Sequence, residues 1–289
     1  MTAPRFTPYD GSSAPFTIGL QQIDPGKWIE TDADLGMYLA EKCRLLTEER
    51  DNVFQEIEGS RNAQSEALAF LVDHLASHHA DTYRRHAGTM AVLDQRVSLE
   101  SPVAPLVTAG SLIADDLVIL EKGDGGWRVT AGYVSFPSSW SLKEKAGKTM
   151  GEIHGPVPGF ESGSRNDGLI NRMFDNIQPD RVVERFNWSI YPDGGLYWPA
   201  AKAVMASRRF LAAGSFVRVE RQTLRKLPST GAMLFTIRVY HDPVSAVTGR
   251  PDLAQQLSTS LMSLTPEQLA YKGMTDKRDE LLGFLRQSI

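Results

Sequence analysis

One histidine near the middle of the chain has the position expected of a ligand. His154 comes at the end of an apolar stripe that recurs at steps of three and four residues. The stripe consists of Leu142, Ala146, Met150 and Ile153. Its period predicts one amphipathic helix that begins at about Leu142, where Ser141 and Glu144 form a capping-box pair, and that is stopped by Gly155 and Pro156. The imidazole then points to the interior. It serves either as a ligand or only as a helix-end side chain that interacts with the macrodipole and a carbonyl.

Three other histidines lie close together in the sequence. His74 and His78 are four residues apart on a predicted helix, and His79 follows directly. This spacing would suit a metal ion, but the glutamate of a His-Glu-x-x-His motif is missing and no third ligand is evident. We therefore interpret these histidines as a polar helix face rather than as a metal site.

A predicted strand at residues 216–224 carries charge on both of its faces. Strand alternation separates Arg218, Glu220 and Gln222 from the opposite set of Val217, Val219, Arg221 and Thr223. Whichever face packs inward brings an ionised side chain with it, and such burial is costly without a partner. The charged face is therefore either a salt-bridged surface in solvent or a pocket wall whose arginines hold anionic groups of a ligand.

The wider pattern predicts the elements that must position these side chains. Helical periodicity covers most of residues 32–88, and two apolar runs around Gly123–Gly126 indicate a β-hairpin. Alternating patterns predict strands at residues 181–191, 216–224 and 232–240, and short helices follow them. This order favours an α+β fold in which helices cover an antiparallel β-sheet mainly on one face.

The same pattern suggests how the chain is organised. No linker-like tract divides it, so we expect a single domain over residues 1–289 with N- and C-terminal helical extensions. The expected parts are a docking arm (1–31), N-terminal helices (32–88), a sheet core (110–245) and C-terminal helices (250–289).

Composition argues against several classes of function. The 31 basic and 35 acidic residues give a net charge of −4, which does not favour a nucleic-acid partner. No apolar run approaches the roughly 18 residues of a membrane span, and there is no hydrophobic signal region, so we expect a cytoplasmic protein outside the membrane. The single cysteine, Cys43, excludes a disulfide within the chain and a cysteine-ligated iron–sulfur centre. Its helical spacing from Leu39 predicts a buried side chain.

Several stretches are similar to one known family. In order, over about residues 15–242, they resemble the α subunits of haem-dependent oxidative N-demethylases, also called dimethylamine monooxygenases. The matching stretches are Pro15–Leu20, Trp28–Glu30, Asp116–Leu120, Phe136–Trp140, Ile153–Gly159, Arg185–Ile190 and Arg218–Pro228.

The resemblance implies a PAS-like domain that binds haem b and works as an oxidoreductase. In that family a haem monooxygenase uses O2 to oxidise a small secondary methylamine such as dimethylamine, and releases the demethylated amine and a one-carbon unit. Electrons would come from NADPH through FMN and a 2Fe-2S cluster on partner reductase subunits of a multi-subunit complex. The cysteine count agrees, because this chain cannot hold such a cluster.

The resemblance also suggests which residues hold the cofactor. His154 would be the axial ligand to the haem iron, a common role for a neutral imidazole. The two propionates call for cationic partners, and Arg221 and Arg225 are candidates because they lie four residues apart on one strand face. Lys148 is a further candidate from the predicted helix.

A protonated amine substrate would need an acceptor and aromatic surfaces for its methyl groups. Glu220 is the first candidate for the acceptor and Asp116 the second, and Trp188 is the candidate for the aromatic wall. Each residue also has a purely structural interpretation. Glu220 could form an ion pair on a sheet face, Asp116 could end a hairpin, and Trp188 could be a core side chain.

Two other classes of function compete with an enzyme. The chain could be a haem-based sensor or carrier without turnover, because a shared fold does not settle function. It could also be a structural subunit that holds no haem. No effector domain is evident in the sequence, which weakens the sensor hypothesis.

Overall fold

The strands form the centre of the fold. The computed structural model describes residues 3–12, 16–160, 165–200 and 209–287. The strands are β1 (Gln21–Ile23), β2 (Phe54–Glu56), β3 (Tyr83–His86), β4 (Thr89–Val92), β5 (Gln95–Ser98), β6 (Asp116–Gly123), β7 (Gly126–Tyr133), β8 (Val182–Tyr191), β9 (Phe216–Lys226) and β10 (Met233–Pro243). Within the described residues, seven of them form a sheet in the order β1-β8-β9-β10-β6-β7-β2, and all neighbouring pairs are antiparallel. The other three, β3 to β5, form a small antiparallel sheet of their own.

The predicted hairpin is confirmed by β6 and β7. Asp124 and Gly125 form a two-residue turn between the paired residues Gly123 and Gly126. Gly126 has a φ of 98°, a left-handed conformation that glycine adopts without steric cost. The three late strands are also confirmed, and their register places Glu220 beside Asn187 of β8.

Helices occupy both ends of the chain and the segment after the hairpin. They are α1 (Leu35–Glu48), α2 (Arg50–Val53), α3 (Arg61–His78), α4 (Pro105–Gly110), α5 (Leu142–Lys145), α6 (Met150–His154), α7 (Arg165–Asn176), α8 (Val244–Thr248), α9 (Pro251–Met262), α10 (Pro266–Lys272) and α11 (Arg278–Arg286). Short 3-10 helices lie at Pro25–Lys27 and Ala212–Gly214. In the described part of the chain, none of the helices has the length and apolar character that a membrane span needs.

The two faces of the main sheet have different partners. Leu117 and Ile119 point to the face that packs on α1, α3 and α4, and the neighbouring part of that face packs on α9 to α11. Val118 and Leu120 point to the other face, which α5, α6 and α7 cover only in part. The predicted α+β fold with an antiparallel sheet is therefore confirmed, and the long helices lie mainly on one side.

The single helix predicted between Leu142 and His154 is wrong. The segment forms two short helices, because Gly147 adopts a left-handed φ of 80° between them. Backbone hydrogen bonds then join Gly147 and Lys148 to Val129 of β7, which a continuous helix would not allow. The capping box is also elsewhere: Thr149 and Glu152 form it at the start of α6, whereas the Ser141 side chain makes no cap.

The prediction that Cys43 is buried is also wrong. The Cys43 side chain is exposed on α1. Its neighbour Lys42 takes the inward position and is only 1% exposed. The periodicity could not show this, because a lysine in an apolar stripe is ordinarily placed on the solvent side.

Candidate functional site

A cavity of about 900 Å³ lies on the sheet face that the short helices cover. Its wall is largely apolar and includes Leu120, Met150, Val157, Phe160, Phe174 and Leu224. Binding sites for small molecules and cofactors are typically apolar concavities of roughly 300–1,000 Å³ with a few fixed polar groups. The size and lining of this cavity therefore suit a cofactor-sized, largely apolar ligand.

His154 stands on the cavity wall as the last residue of α6, as the sequence predicted. Its ring is partly buried and lies 6.0 Å from the ring of Phe160, centroid to centroid. Nδ1 is 3.0 Å from the carbonyl oxygen of Met150. A carbonyl oxygen only accepts, so Nδ1 carries the proton and a neutral ring has its lone pair on Nε2. The carbonyl contact thus fixes the tautomer that a metal-binding imidazole requires.

A second feature of the wall is a buried carboxylate held by several donors. Glu220 is 6% exposed and accepts hydrogen bonds from Ser138 Oγ, from Asn187 Nδ2 at 3.3 Å and from Gln222 Nε2 at 2.7 Å. Ser138 Oγ in turn accepts from Nε of the buried Arg218 at 2.8 Å. One hydroxyl therefore joins a buried cation to a buried anion and fixes the position of the Glu220 carboxylate.

Asp116 supports this arrangement from outside the cavity. Its two carboxylate oxygens accept from the backbone N–H groups of Ser135 and Phe136, both at 2.8 Å. Burial raises the pKa of Asp116 to about 6. The carboxylate thus holds the backbone of the segment that leads to Ser138, and the structure does not bring it to the cavity wall as an acceptor.

The two arginines predicted to bind propionates lie on the opposite face of the sheet. Arg221 pairs with Glu184 at 2.8 Å and donates to the backbone carbonyls of Lys27 and Trp28. Arg225 lies over the aromatic rings of Trp28 and Phe70. The prediction that Arg221 and Arg225 share one face of β9 is confirmed. That face packs against the N-terminal part of the chain rather than against the cavity.

Lys148, the third predicted cation, is exposed and is not part of the described cavity wall. Lys145 lines the wall instead, and its ammonium group donates to the carbonyl of Ile153 at 3.2 Å. The break between α5 and α6 causes this exchange, because it changes the direction in which each lysine points.

Trp188 is buried in the cluster that packs on α9 to α11, on the sheet face opposite Arg185, and it also borders the cavity. Its ring packs on Tyr9 at 5.9 Å between centroids, and the ammonium group of Lys272 lies 4.9 Å from the ring centroid. The structure therefore places Trp188 beside the cavity, with a cation of the protein already at its aromatic face.

Arg185 was not identified from the sequence as a cation of the cavity wall. Arg185 of β8 lines the cavity, and its Nε is buried without a hydrogen-bond partner among the described residues. Burial lowers the pKa of Arg185, although a guanidinium stays charged in proteins. In β8 the side chain of Arg185 lies on the face opposite Phe186 and Trp188, and this alternation is visible in the sequence. The sequence alone could not show which of the two faces meets the cavity.

The three neighbouring histidines lie at the end of α3, where His74 and His78 belong to the helix and His79 follows it. In the part of the chain that the structure describes, no group of three histidine, cysteine or carboxylate side chains is arranged to hold a metal ion. His74 stacks on His78 at 4.5 Å and packs against Trp28 at 5.0 Å. Burial lowers the pKa of His74 to about 3, so its ring is neutral. The interpretation as a polar face is wrong for His74, which belongs to the core.

The fold and the cavity together define a class of protein. The chain is an α+β protein that presents a histidine and a fixed carboxylate to a cofactor-sized, apolar cavity. Comparison with known families gives the more particular result. The model of the family described as "haem-dependent oxidative N-demethylase, alpha subunit-like" matches residues 19–282, and the chain belongs to this family. The resemblance inferred from the sequence is confirmed.

Haem dependence, which the family description states, can be tested against the residues present. A haem needs a large apolar cavity, a nitrogen ligand and cations for its propionates. The chain has an apolar cavity of suitable size, and His154, with its proton on Nδ1, can supply the nitrogen ligand. Arg185, whose buried Nε has no described partner, can supply a cation for a propionate. The residues present therefore fit the group.

Proposed function

We propose that this chain binds haem b in the cavity, with His154 as the axial ligand, and catalyses oxidative N-demethylation of a small secondary amine such as dimethylamine. The observation that carries the proposal is the contact from His154 Nδ1 to the Met150 carbonyl. It places the lone pair of a neutral ring on Nε2, the tautomer that a metal-binding imidazole needs, in a chain of this family. A PAS-like architecture is part of the proposal. The antiparallel sheet, with short helices across its cavity face, supports it.

When bound, haem supplies the oxygen and electron-transfer chemistry. The electrons would come from NADPH through FMN and a 2Fe-2S cluster on partner subunits. A single cysteine cannot ligate such a cluster, so this chain depends on a separate reductase for its electrons.

Glu220 is proposed to bind the protonated amine. Its carboxylate lies on the cavity wall and is held in place by Ser138, Asn187 and Gln222. A carboxylate has about four lone-pair sites, so these three donors leave capacity for an ammonium N–H. Asp116 would act only as a positioning residue, through the backbone it holds, and Trp188 would form part of the aromatic wall.

The proposal is tested by turnover. Haem-loaded protein is incubated in air with dimethylamine and a chemical reductant or partner reductase, and release of methylamine and a one-carbon product is measured. Release of both supports the enzyme. Binding of haem and amine without any product would instead indicate a sensor or carrier.

Replacing Glu220 with glutamine is expected to weaken dimethylamine binding by about 10- to 100-fold, because a charge-assisted hydrogen bond is lost. The measurement is an absorption titration of the haem-loaded variant with dimethylammonium. Glu144→Gln is the matched control, since Glu144 is an exposed carboxylate at the rim of the same cavity. Unchanged amine affinity in Glu220→Gln would contradict the assignment.

A further inference from the structure

The cationic side chains of the cavity wall differ in the hydrogen-bond and ion-pair partners that the protein gives them. Arg5 forms ion pairs with two partly buried carboxylates, Lys145 donates to the Ile153 carbonyl, and Lys272 donates to the Trp188 carbonyl. Arg185 differs from them, because its Nε is fully buried and has no hydrogen-bond partner in the described part of the chain. No ion pair links Arg185 to a described carboxylate.

Such an arrangement is costly unless a further group completes it. A buried N–H group without a hydrogen-bond partner costs free energy. Among the described residues Arg225 and Arg238 also have such atoms, but only that of Arg185 belongs to a residue of the cavity wall. Glu220 lies on the neighbouring strand and attracts the charge of Arg185, but the two side chains do not form an ion pair. The Glu220 carboxylate is instead engaged by Ser138, Asn187 and Gln222. Arg185 is therefore positioned for an anion that enters the cavity.

We propose that Arg185 binds a propionate carboxylate of haem, an inference that rests on the proposed function. A guanidinium presents a planar fork of donors that matches a carboxylate in two parallel hydrogen bonds. Arg185 projects from the sheet into a mostly apolar cavity, where such a pair is poorly screened. This role was expected of Arg221 and Arg225, which the structure places on the other face of the same sheet. There Arg221 pairs with Glu184, and Arg225 lies over the rings of Trp28 and Phe70.

The test compares hemin with hemin dimethyl ester, in which both propionates are neutral. Each is titrated into the full-length wild-type chain and into Arg185→Gln, and affinity is read from the Soret band. Arg185→Gln is expected to weaken hemin binding by about tenfold or more. The ester is expected to bind both proteins with similar affinity, because it lacks the charge that Arg185 recognises.

Arg225→Gln is the matched control. Arg225 is also an arginine of the main sheet whose Nε is buried without a hydrogen-bond partner, but it faces away from the cavity. Its substitution should leave the ratio of hemin to ester affinity at the wild-type value. Arg185→Lys keeps the charge and should show an intermediate ratio, which gives a second measurement if Arg185→Gln folds poorly.

Two results would overturn the inference, and they are distinguishable. If Arg185→Gln keeps the wild-type ratio of hemin to ester affinity, the propionate assignment is wrong while haem binding stands. If the wild-type chain and His154→Ala bind hemin and its dimethyl ester equally weakly, the proposed function fails together with the inference.

Discussion

Replacing His154 with alanine is expected to weaken hemin binding by about 100-fold or more and to remove the spectrum of a histidine-ligated haem. Loss of a side chain that only orients a metal ligand costs about 10- to 100-fold in affinity, and loss of the ligand itself should cost at least as much. The His154 ring lies on the cavity wall with its proton on Nδ1, and no other histidine of the described residues lines this cavity. Added imidazole should restore the spectrum of the variant.

The control for this experiment is His86→Ala. His86 is an exposed histidine of β3, remote from the cavity wall, and its removal should change neither hemin affinity nor the spectrum. If His154→Ala instead retained the wild-type affinity and spectrum, another residue would hold the iron and the central assignment would be wrong.

The second large effect concerns stability rather than binding. Replacing Lys42 with methionine is expected to lower the free energy of unfolding by on the order of 3–5 kcal/mol. The buried ammonium group of Lys42 donates to three backbone carbonyls, those of Gly110, Ile113 and Asp115. It also lies 5.1 Å from the ring centroid of Tyr133. A methionine would leave these carbonyls without their donor at the junction between α4 and β6.

Urea unfolding of the variant measures this loss, and Lys143→Met is the control because Lys143 is exposed on α5. The pH dependence gives an independent check. Burial lowers the pKa of Lys42 from 10.5 to about 8, so between these values the unfolded chain holds a proton that the folded chain has lost. The contribution of Lys42 to the free energy of unfolding should therefore rise with pH over this range. Equal stability of Lys42→Met and Lys143→Met would show that the three contacts are unimportant.

The sheet and its faces could be predicted from the sequence because local signals specify them. The glycines around the turn between β6 and β7 fix a hairpin, and strict alternation in β8 and β9 fixes which side chains share a face. The histidine at the end of a helix was predicted in the same way. A side chain at the last position before Gly155 needs only the local pattern to be placed.

The rest depends on long-range packing that no local pattern contains. Alternation grouped Arg221 with Arg225 on one face of β9 but could not show which face the long helices cover, and these two arginines lie on the face away from the cavity. The helix before His154 was predicted as continuous because the backbone bonds to Val129 come from β7, outside the segment. Lys42 was missed because the three carbonyls that accept from its buried ammonium group belong to a distant segment.

The most direct test of the account is an absorption titration of the unmodified full-length chain with hemin. The account predicts stoichiometric, saturable binding, a Soret band typical of histidine-ligated haem, and a shift of that band when dimethylamine is added. Weak, non-saturating absorbance that is the same for the wild-type chain and His154→Ala would contradict it.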